Sequence, residues 1–354
     1  MKKSVVFLAR TADGDAESRQ SALGKIIARA ESMRSFLENE IVPIKITLGD
    51  SQCVYNISPA LVKRIAAKVR ECRAKPFLTD TNVIYKGERA NAVDHLTLAQ
   101  NKGFSHTKTG APFIIADGMF GRDGITVKTS GRYISEVRVP SFVGALKSIV
   151  VISHITGHIL SGYAGAIKNI AMGMACKPSK QVQHSSLKPS VLPGACTACG
   201  QCINGCPSAA ISLKDSKAHV DRDLCIGCGE CLSFCKFHAI KVNWDEDPAV
   251  FSKRMAEVAG AVLRHFTNVF SFNMAFDITK ECDCISAKHE KIICPDIGIL
   301  ASNDILALDR ATVDIINAKT DIFKEHGLNT VYGEMFSYSA ETGLGTGEYT
   351  LEEL

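Results

Sequence analysis

The sequence lacks a long apolar run. A membrane-crossing helix needs about 18 or more consecutive apolar residues, and no stretch approaches that, so no membrane span is expected. The start is basic, Met1-Lys2-Lys3, but the apolar run behind it covers only Val5 to Ala9. That is too short for the core of an export signal, so a cytoplasmic protein is expected. Charge of one sign is also scarce. A net charge of +4 on 354 residues is too weak to mark a nucleic-acid or membrane-surface binder. No G-x-G-x-x-G stands where a nicotinamide or flavin nucleotide would be cradled, and no glycine-rich stretch ends in the Gly-Lys-Ser/Thr of a P-loop. Charged residues at 22% and hydrophobic residues at 46% argue against a disordered chain.

What the sequence does have is cysteine, 14 in all. Without an export signal, metal ligation or catalysis is a better reading than disulfides. Two runs carry eight of them: Cys196, Cys199, Cys202 and Cys206, then Cys225, Cys228, Cys231 and Cys235. Both read C-x2-C-x2-C-x3-C. Ala210-Ile211 and Ala239-Ile240 extend the repeat beyond the cysteines. Thiolates two residues apart share one tight loop and can hold three irons of a cubane. The fourth cysteine follows as the chain turns into a short helix and points away. In two-cluster ferredoxins it ligates the other cluster. The expected cofactors are therefore two [4Fe–4S] clusters. Cys196, Cys199, Cys202 and Cys235 would hold one, and Cys225, Cys228, Cys231 and Cys206 the other. Gly200, Gly227 and Gly229 would let backbone N–H groups approach cluster sulfurs. Zinc sites pair shorter units into four ligands, which fits two matching sets of four poorly. The pattern resembles the bacterial two-cluster ferredoxin module. Lys236 departs from it, at a place where that family usually has proline. Between 196 and 240, Lys214, Lys217, Arg222 and Lys236 balance Asp215, Asp221, Asp223 and Glu230. Such neutrality suits an internal wire better than a carrier steered by its own field.

Elsewhere, strand-like and helix-like segments alternate, which predicts an α/β layered fold with a largely parallel sheet. Strands are expected at Ser4 to Ala9, Val42 to Leu48, Pro76 to Thr79, Pro112 to Asp117 and Ile149 to Ile155. Leu23, Ile26, Ile27, Ala30, Met33 and Leu37 mark one helix face. Pro59 and Pro248 open helices, and Asn303 or Asp304 caps another that runs to about Lys319. Ile125 to Val139 reads as a hairpin on the sheet edge. The proline- and serine-rich stretch 176–195 reads as a connector. The expected division is 1–190 and 243–335 for the α/β domain, 191–242 for the inserted cluster module, and 336–354 for a frayed tail.

Further motifs resemble the family called domain of unknown function 362. They are Ser153-His154-Ile-Thr-Gly157-His158 with its continuation Gly162 to Gly173, Pro76 to Asn82, Ala116-Asp117-Gly118, Cys282-Asp283-Cys284 and Asp296 to Ser302. The resemblance implies an α/β domain with an inserted two-cluster module, and no particular reaction. Thr47 departs from the histidine expected there in many members.

The glycine-rich stretch 157–173 leads into a helix expected to begin near Ala164. With Lys168, the helix start would make an anion site, or the glycines would serve tight packing. His154 and His158 flank that turn at a strand's C-terminal end, where open α/β sheets bind ligands. Together with Lys168 they are the catalytic candidates, whereas His184 is expected to be structural. Cys282, Cys284 and Cys294 read first as buried free thiols, since C-x-C suits zinc ribbons poorly; the alternative is a third metal site or a redox dithiol that receives electrons from the clusters, with Asp283, His289 and Asp296 near in sequence. Asp80, Asn82 and Asp117 end strands and suit a cation, a substrate hydroxyl or plain Asx-turns. Cys53, Cys72 and Cys176 are expected to be unliganded. The function expected is a redox enzyme: clusters exchange single electrons with a donor or acceptor protein and serve a small anionic substrate in the α/β domain. The alternatives are a carrier or partner-docking assembly protein, and a metal-dependent enzyme with structural clusters.

Overall fold

The computed structural model describes residues 3–184, 188–225, 227–241, 247–284 and 291–354. Eight strands form a central sheet. In spatial order they are Tyr349–Glu353, Ser4–Arg10, Gly298–Ser302, Asn268–Ala275, Ser148–His154, Ile41–Ile46, Lys75–Asp80 and Phe113–Ile115. Only Gly298–Ser302 runs antiparallel to its neighbours. The predicted α/β class and largely parallel sheet are therefore observed.

Both faces of the sheet are covered, and the strands show it residue by residue. Ile149 and Val151 point into one core, Val150 and Ile152 into the other. This period of two on strands apolar on both sides is what a buried parallel sheet requires. The first core receives helices Ala166–Gly173, Pro248–Leu263, Ile305–Ile316 and Tyr332–Glu341. The second receives Ala16–Arg29 and Pro59–Glu71. Asp15, Ser58, Asp247 and Asp304 cap the starts of four of these helices by accepting first-turn N–H groups.

Four expectations change. The first helix stops at Arg29, a short 3-10 turn carries Met33, and Leu37 is exposed. Strands Ile125–Lys128 and Glu136–Val139 pair only with each other, so this hairpin is a separate ribbon and not the sheet edge. The stretch read as a connector contains a buried helix, Lys177–His184. Its polarity hides it, because its polar side chains find tertiary partners: Lys180 Nζ donates to Thr81 Oγ1 at 2.8 Å and Gln183 Nε2 to Ala171 O at 3.0 Å. The tail expected to fray forms the end of helix Tyr332–Glu341 and the strand Tyr349–Glu353. That strand lies parallel on Ser4–Leu8 and is tied down by Arg10–Glu353 and Arg29–Glu352 ion pairs.

Residues 190–241 leave the sheet and return beside their starting point, because Ser190–Val191 pairs antiparallel with Ile240–Lys241. Between them lie the short helices Gln201–Asn204 and Glu230–Phe234 and the hairpin Ile211–Lys214 with Lys217–Val220. The segment's buried cluster is small: Cys196, Cys202, Ile211, Ala218, Cys231, Leu232, Ala239 and Ile240, joined by Ile84 from the α/β body.

Candidate functional site

In chain order the sheet grows in two directions. Ile41–Ile46, Lys75–Asp80 and Phe113–Ile115 step one way, and Ser148–His154, Asn268–Ala275 and Gly298–Ser302 step the other. Connections diverge where Ile41–Ile46 meets Ser148–His154, which opens a crevice at the strands' C-terminal ends. A cavity of about 590 Å³ lies there. Strand ends supply Lys45, Thr47, Asp80, Thr81, His154 and Thr156 to its wall. Helix Ala166–Gly173 supplies Lys168 and Asn169, and helix Lys177–His184 supplies Lys180 and His184. Asp50, Ile84, Tyr85, Lys86, Arg89, His158, Cys282, Asp283 and Cys284 also line it.

The wall is cationic. Lys45, Lys86, Arg89, Lys168 and Lys180 face Asp50, Asp80 and Asp283. Two of the carboxylates are already engaged. Asp80 sits 3.2 Å from Lys45 Nζ. Burial alone would raise its acidity constant's pKa, but Lys45, His95, Arg89 and Lys180 outweigh burial and hold the carboxyl below its ordinary value. Asp283 accepts from His154 Nδ1 at 2.9 Å, while His154 Nε2 donates to Phe276 O at 3.0 Å. Both partners only accept, so the ring carries both protons. Burial opposes that charge, yet Asp283 and the carbonyl raise the His154 pKa above the ordinary value. His154 is thus an imidazolium anchor for the Cys282-Asp283-Cys284 element and not a free base.

His158 differs. Its Nδ1 accepts from Ser161 N at 3.1 Å and Leu160 N at 3.3 Å, which leaves the proton on Nε2. Burial, with Lys168 and His184 adding to it, drives its pKa well below the ordinary value. His158 offers a ligand-type atom within 4.8 Å of those of Cys282 and Cys284, a set of the kind that can hold a metal. In this structure the two sulfurs are bonded to each other. Cys294, expected with them, is buried in the apolar core, does not line the cavity, and has its thiol pushed up to about 12 by burial. His289 lies outside the described residues, and Asp296 pairs with Arg19. His184, expected to be structural, stacks on Phe251 at 4.8 Å and also lines the cavity.

The expected anion site at a helix start is filled from within. Asp309 accepts from Ala166 N and Ile167 N, both at 2.9 Å. A Cβ on Gly165 would lie 2.5 Å from Asp309 Oδ1, and one on Gly173 would lie 2.3 Å from Lys45 Nζ. The glycines therefore serve close packing. Lys168 Nζ has Cys284 Sγ at 3.9 Å as its hydrogen-bond partner, and burial lowers its pKa to about 8. Burial brings Lys180 to about 8 as well. Arg89 is 6% exposed; Nη2 donates to Tyr85 Oη at 2.6 Å, and Nε has no partner among the described residues. Burial opposes the charge of this guanidinium, but Tyr85, Asp80, Asp50 and Asp283 outweigh burial and favour it. Sequence reading missed Lys45, Arg89 and Lys180. Only Lys45 carried a signal, as a lone charge in Ile-Val-Pro-Ile-Lys-Ile. Of the strand-end trio, Asp80 lines the cavity, whereas Asn82 N and Nδ2 donate to buried Asp117 at 2.9 Å as a structural pair.

The cysteine-rich segment touches this cavity. Ile84 and Tyr85 line it and also pack against the segment's buried cluster. Helix Lys177–His184 forms a second shared wall: a Cβ on Gly229 would lie 2.7 Å from Gln181 Cβ. In the segment, Cys196, Cys199, Cys202 and Cys235 line one small hollow. Ala218, Ala210 and Ala239 N–H groups donate to Sγ of Cys196, Cys206 and Cys235 at 3.3, 3.2 and 3.2 Å. Gly200, Gly227 and Gly229 all hold left-handed φ, near +73°.

The fold and site define an α/β protein with a cationic, ligand-sized cavity at its topological switch point. The chain belongs to the DUF362 family, described as a domain of unknown function, whose model matches residues 42–314. No curated protein matches it. Among solved structures, a lactate racemase apoprotein from Thermoanaerobacterium thermosaccharolyticum is similar at 11% identity and TM-score 0.39, over 78% of this chain and 51% of that one. A protein from Thermotoga maritima is similar at 11% identity and TM-score 0.45, over 94% and 60%. This chain therefore spans a little over half the length of those proteins. Among the described residues no helix is long and apolar enough to cross a membrane.

Proposed function

We propose that this protein is an iron–sulfur redox protein that holds two [4Fe–4S] clusters and serves a small anionic molecule in the cavity. Cys196, Cys199, Cys202 and Cys235 would hold one cluster, and Cys225, Cys228, Cys231 and Cys206 the other. The observation that carries this reading is the hollow lined by three cysteines of the first run and the last of the second. That mixing is what an exchanged fourth ligand requires.

The residues present fit such a group. Burial, with Cys235, Cys196 and Cys199 adding to it, raises the Cys202 thiol. Burial, with Cys228 and Cys225 adding to it, raises that of Cys231. Thiols gathered so closely resist ionisation until cationic iron compensates them. Gln181 is wholly buried beside Gly229, and neither polar atom of its amide has a partner among the described residues; the same holds for the Ser233 hydroxyl. A sulfide-rich group would supply acceptors. The clusters, when bound, supply one-electron chemistry. The chain's own contribution is to donate backbone N–H groups to ligand sulfurs, to exclude water with Leu232 and Ile240, and to set the module against Ile84 and Tyr85 at the cavity wall. Arg89, Lys168 and Lys180 bind and orient the anion. An exchange partner, a redox donor or acceptor protein, belongs to the same proposal.

Anaerobic reconstitution should give about eight iron and eight sulfide per chain, with reduced-cluster EPR signals. Cys199→Ala and Cys235→Ala, from different runs, should damage the same cluster and leave the other's signal intact. Damage to different clusters would refute the exchanged assignment, and an iron-free chain would sink the whole reading.

A further inference from the structure

The cavity wall carries a sulfur pair that neither iron nor packing requires. We propose that Cys282 and Cys284 are a redox-active dithiol–disulfide that exchanges with small anionic thiols admitted to the cavity.

Four observations converge. The two sulfurs are bonded, and both residues line the cavity rather than the core. Access is unequal: Cys282 is 3% exposed and Cys284 is half-buried, so an incoming thiolate reaches Cys284. Cations flank the pair, with Lys168 Nζ 3.9 Å from Cys284 Sγ and Arg89 and Lys180 on the same wall. His158 lies beside the pair, with a ring nitrogen within 4.8 Å of both sulfurs, and its proton is on Nε2 because Nδ1 accepts from backbone N–H donors. A protonated nitrogen is a donor to a departing thiolate and not a metal ligand, which favours thiol chemistry at this trio.

The exchange balances without any bound group. An anionic thiol enters as its thiolate, with its carboxylates drawn to Arg89, Lys168 and Lys180. Its sulfur attacks Cys284 Sγ; the Cys282–Cys284 bond breaks, and Cys282 leaves as a thiolate that takes up the proton given off by the incoming thiol. A second thiolate attacks the external sulfur of the mixed disulfide. Cys284 leaves as a thiolate beside the Lys168 ammonium and takes up the second proton. The protein disulfide has gained two electrons, and two external thiols have become one external disulfide. The reverse sequence oxidises the dithiol.

The test uses the full chain with glutathione as the anionic thiol and cysteamine as the cationic one. After acid quench and alkylation, mass spectrometry reads the peptide that spans Cys282 and Cys284. The pair should convert in one two-electron step across glutathione buffers, and glutathione should react roughly tenfold faster than an equal concentration of cysteamine thiolate at low salt. Lys168→Met should narrow that ratio. Cys282→Ser should trap one glutathione on Cys284. A pair that no thiol reduces, equal rates for the two thiols, or a stoichiometric metal that blocks alkylation after reduction would overturn the proposal. It does not rest on the clusters: an iron-free chain whose pair still exchanges would refute the iron–sulfur reading and leave this one standing.

Discussion

The α/β body and the cysteine-rich segment are held together by different means. The body fills two apolar cores on opposite faces of an eight-stranded sheet, built mostly of aromatic and branched side chains with alanines between them. The segment of residues 190–241 buries a cluster in which Cys196, Cys202 and Cys231 stand beside Ile211, Leu232, Ile240 and three smaller or borrowed residues. A core that small does not offset the chain entropy of about fifty residues. The body can therefore fold by burial alone, whereas the segment needs a staple, which under the proposed function is thiolate–iron bonding. The largest expected effect follows. Protein made without iron should keep full hydrogen-exchange protection in Ser148–His154 and Asn268–Ala275 and lose it throughout 190–241. Equal protection in both regions would remove the distinction.

That contrast also governs what a sequence discloses. The segment's design is local: eight cysteines at fixed spacing in two adjoining runs, each role written beside its neighbours. The cavity is assembled from strand ends that lie far apart in the chain. Lys45 was missed although a lone charge inside a buried run could have marked it, whereas Arg89 and Lys180 look like ordinary surface cations until the fold places them. The helix Lys177–His184 escaped for the same reason. Lys180 and Gln183 are buried because Thr81, Asn82 and Ala171 satisfy them, and no periodicity of apolar residues records that. His154 was placed correctly at a strand end, but its role depended on Asp283, distant in sequence.

The body has a polar keystone that tests how far burial alone carries it. Asp309, wholly buried, accepts from Tyr163 Oη at 3.0 Å, Ala166 N and Ile167 N at 2.9 Å, and Asn273 Nδ2 at 2.8 Å. Its carboxyl therefore joins helix Ala166–Gly173, which carries Lys168, to strand Asn268–Ala275. Asp309→Ala strands several buried donors and should cost about 3 kcal/mol or more, read as a lower urea midpoint for the body. Iron content should be unaffected, since the keystone lies on the far side of the comparison. A loss of iron equal to the loss of body stability would mean that the two regions fold as one.

The smallest effect concerns the cavity's charge. Burial brings Lys168 and Lys180 to about 8, so both carry a proton below that pH and lose it above. An anion binds the protonated forms. Affinity for malonate should accordingly be flat on the acid side and fall as pH rises through about 8, with a slope approaching two protons. Lys168→Met removes one of the two titrating groups. It should weaken binding roughly tenfold on the acid side and leave a slope near one. Lys180 also holds Thr81 and Asn82, so its replacement would confuse binding with folding, whereas among the described residues Lys168 has one hydrogen bond to lose, to the Cys284 sulfur, and the attraction of Asp283. Calorimetric titrations at several pH values separate the outcomes. Affinity that rises with pH, or that Lys168→Met leaves unchanged, would show that the anion is met elsewhere on the wall, with Arg89 as the remaining buried cation able to do it.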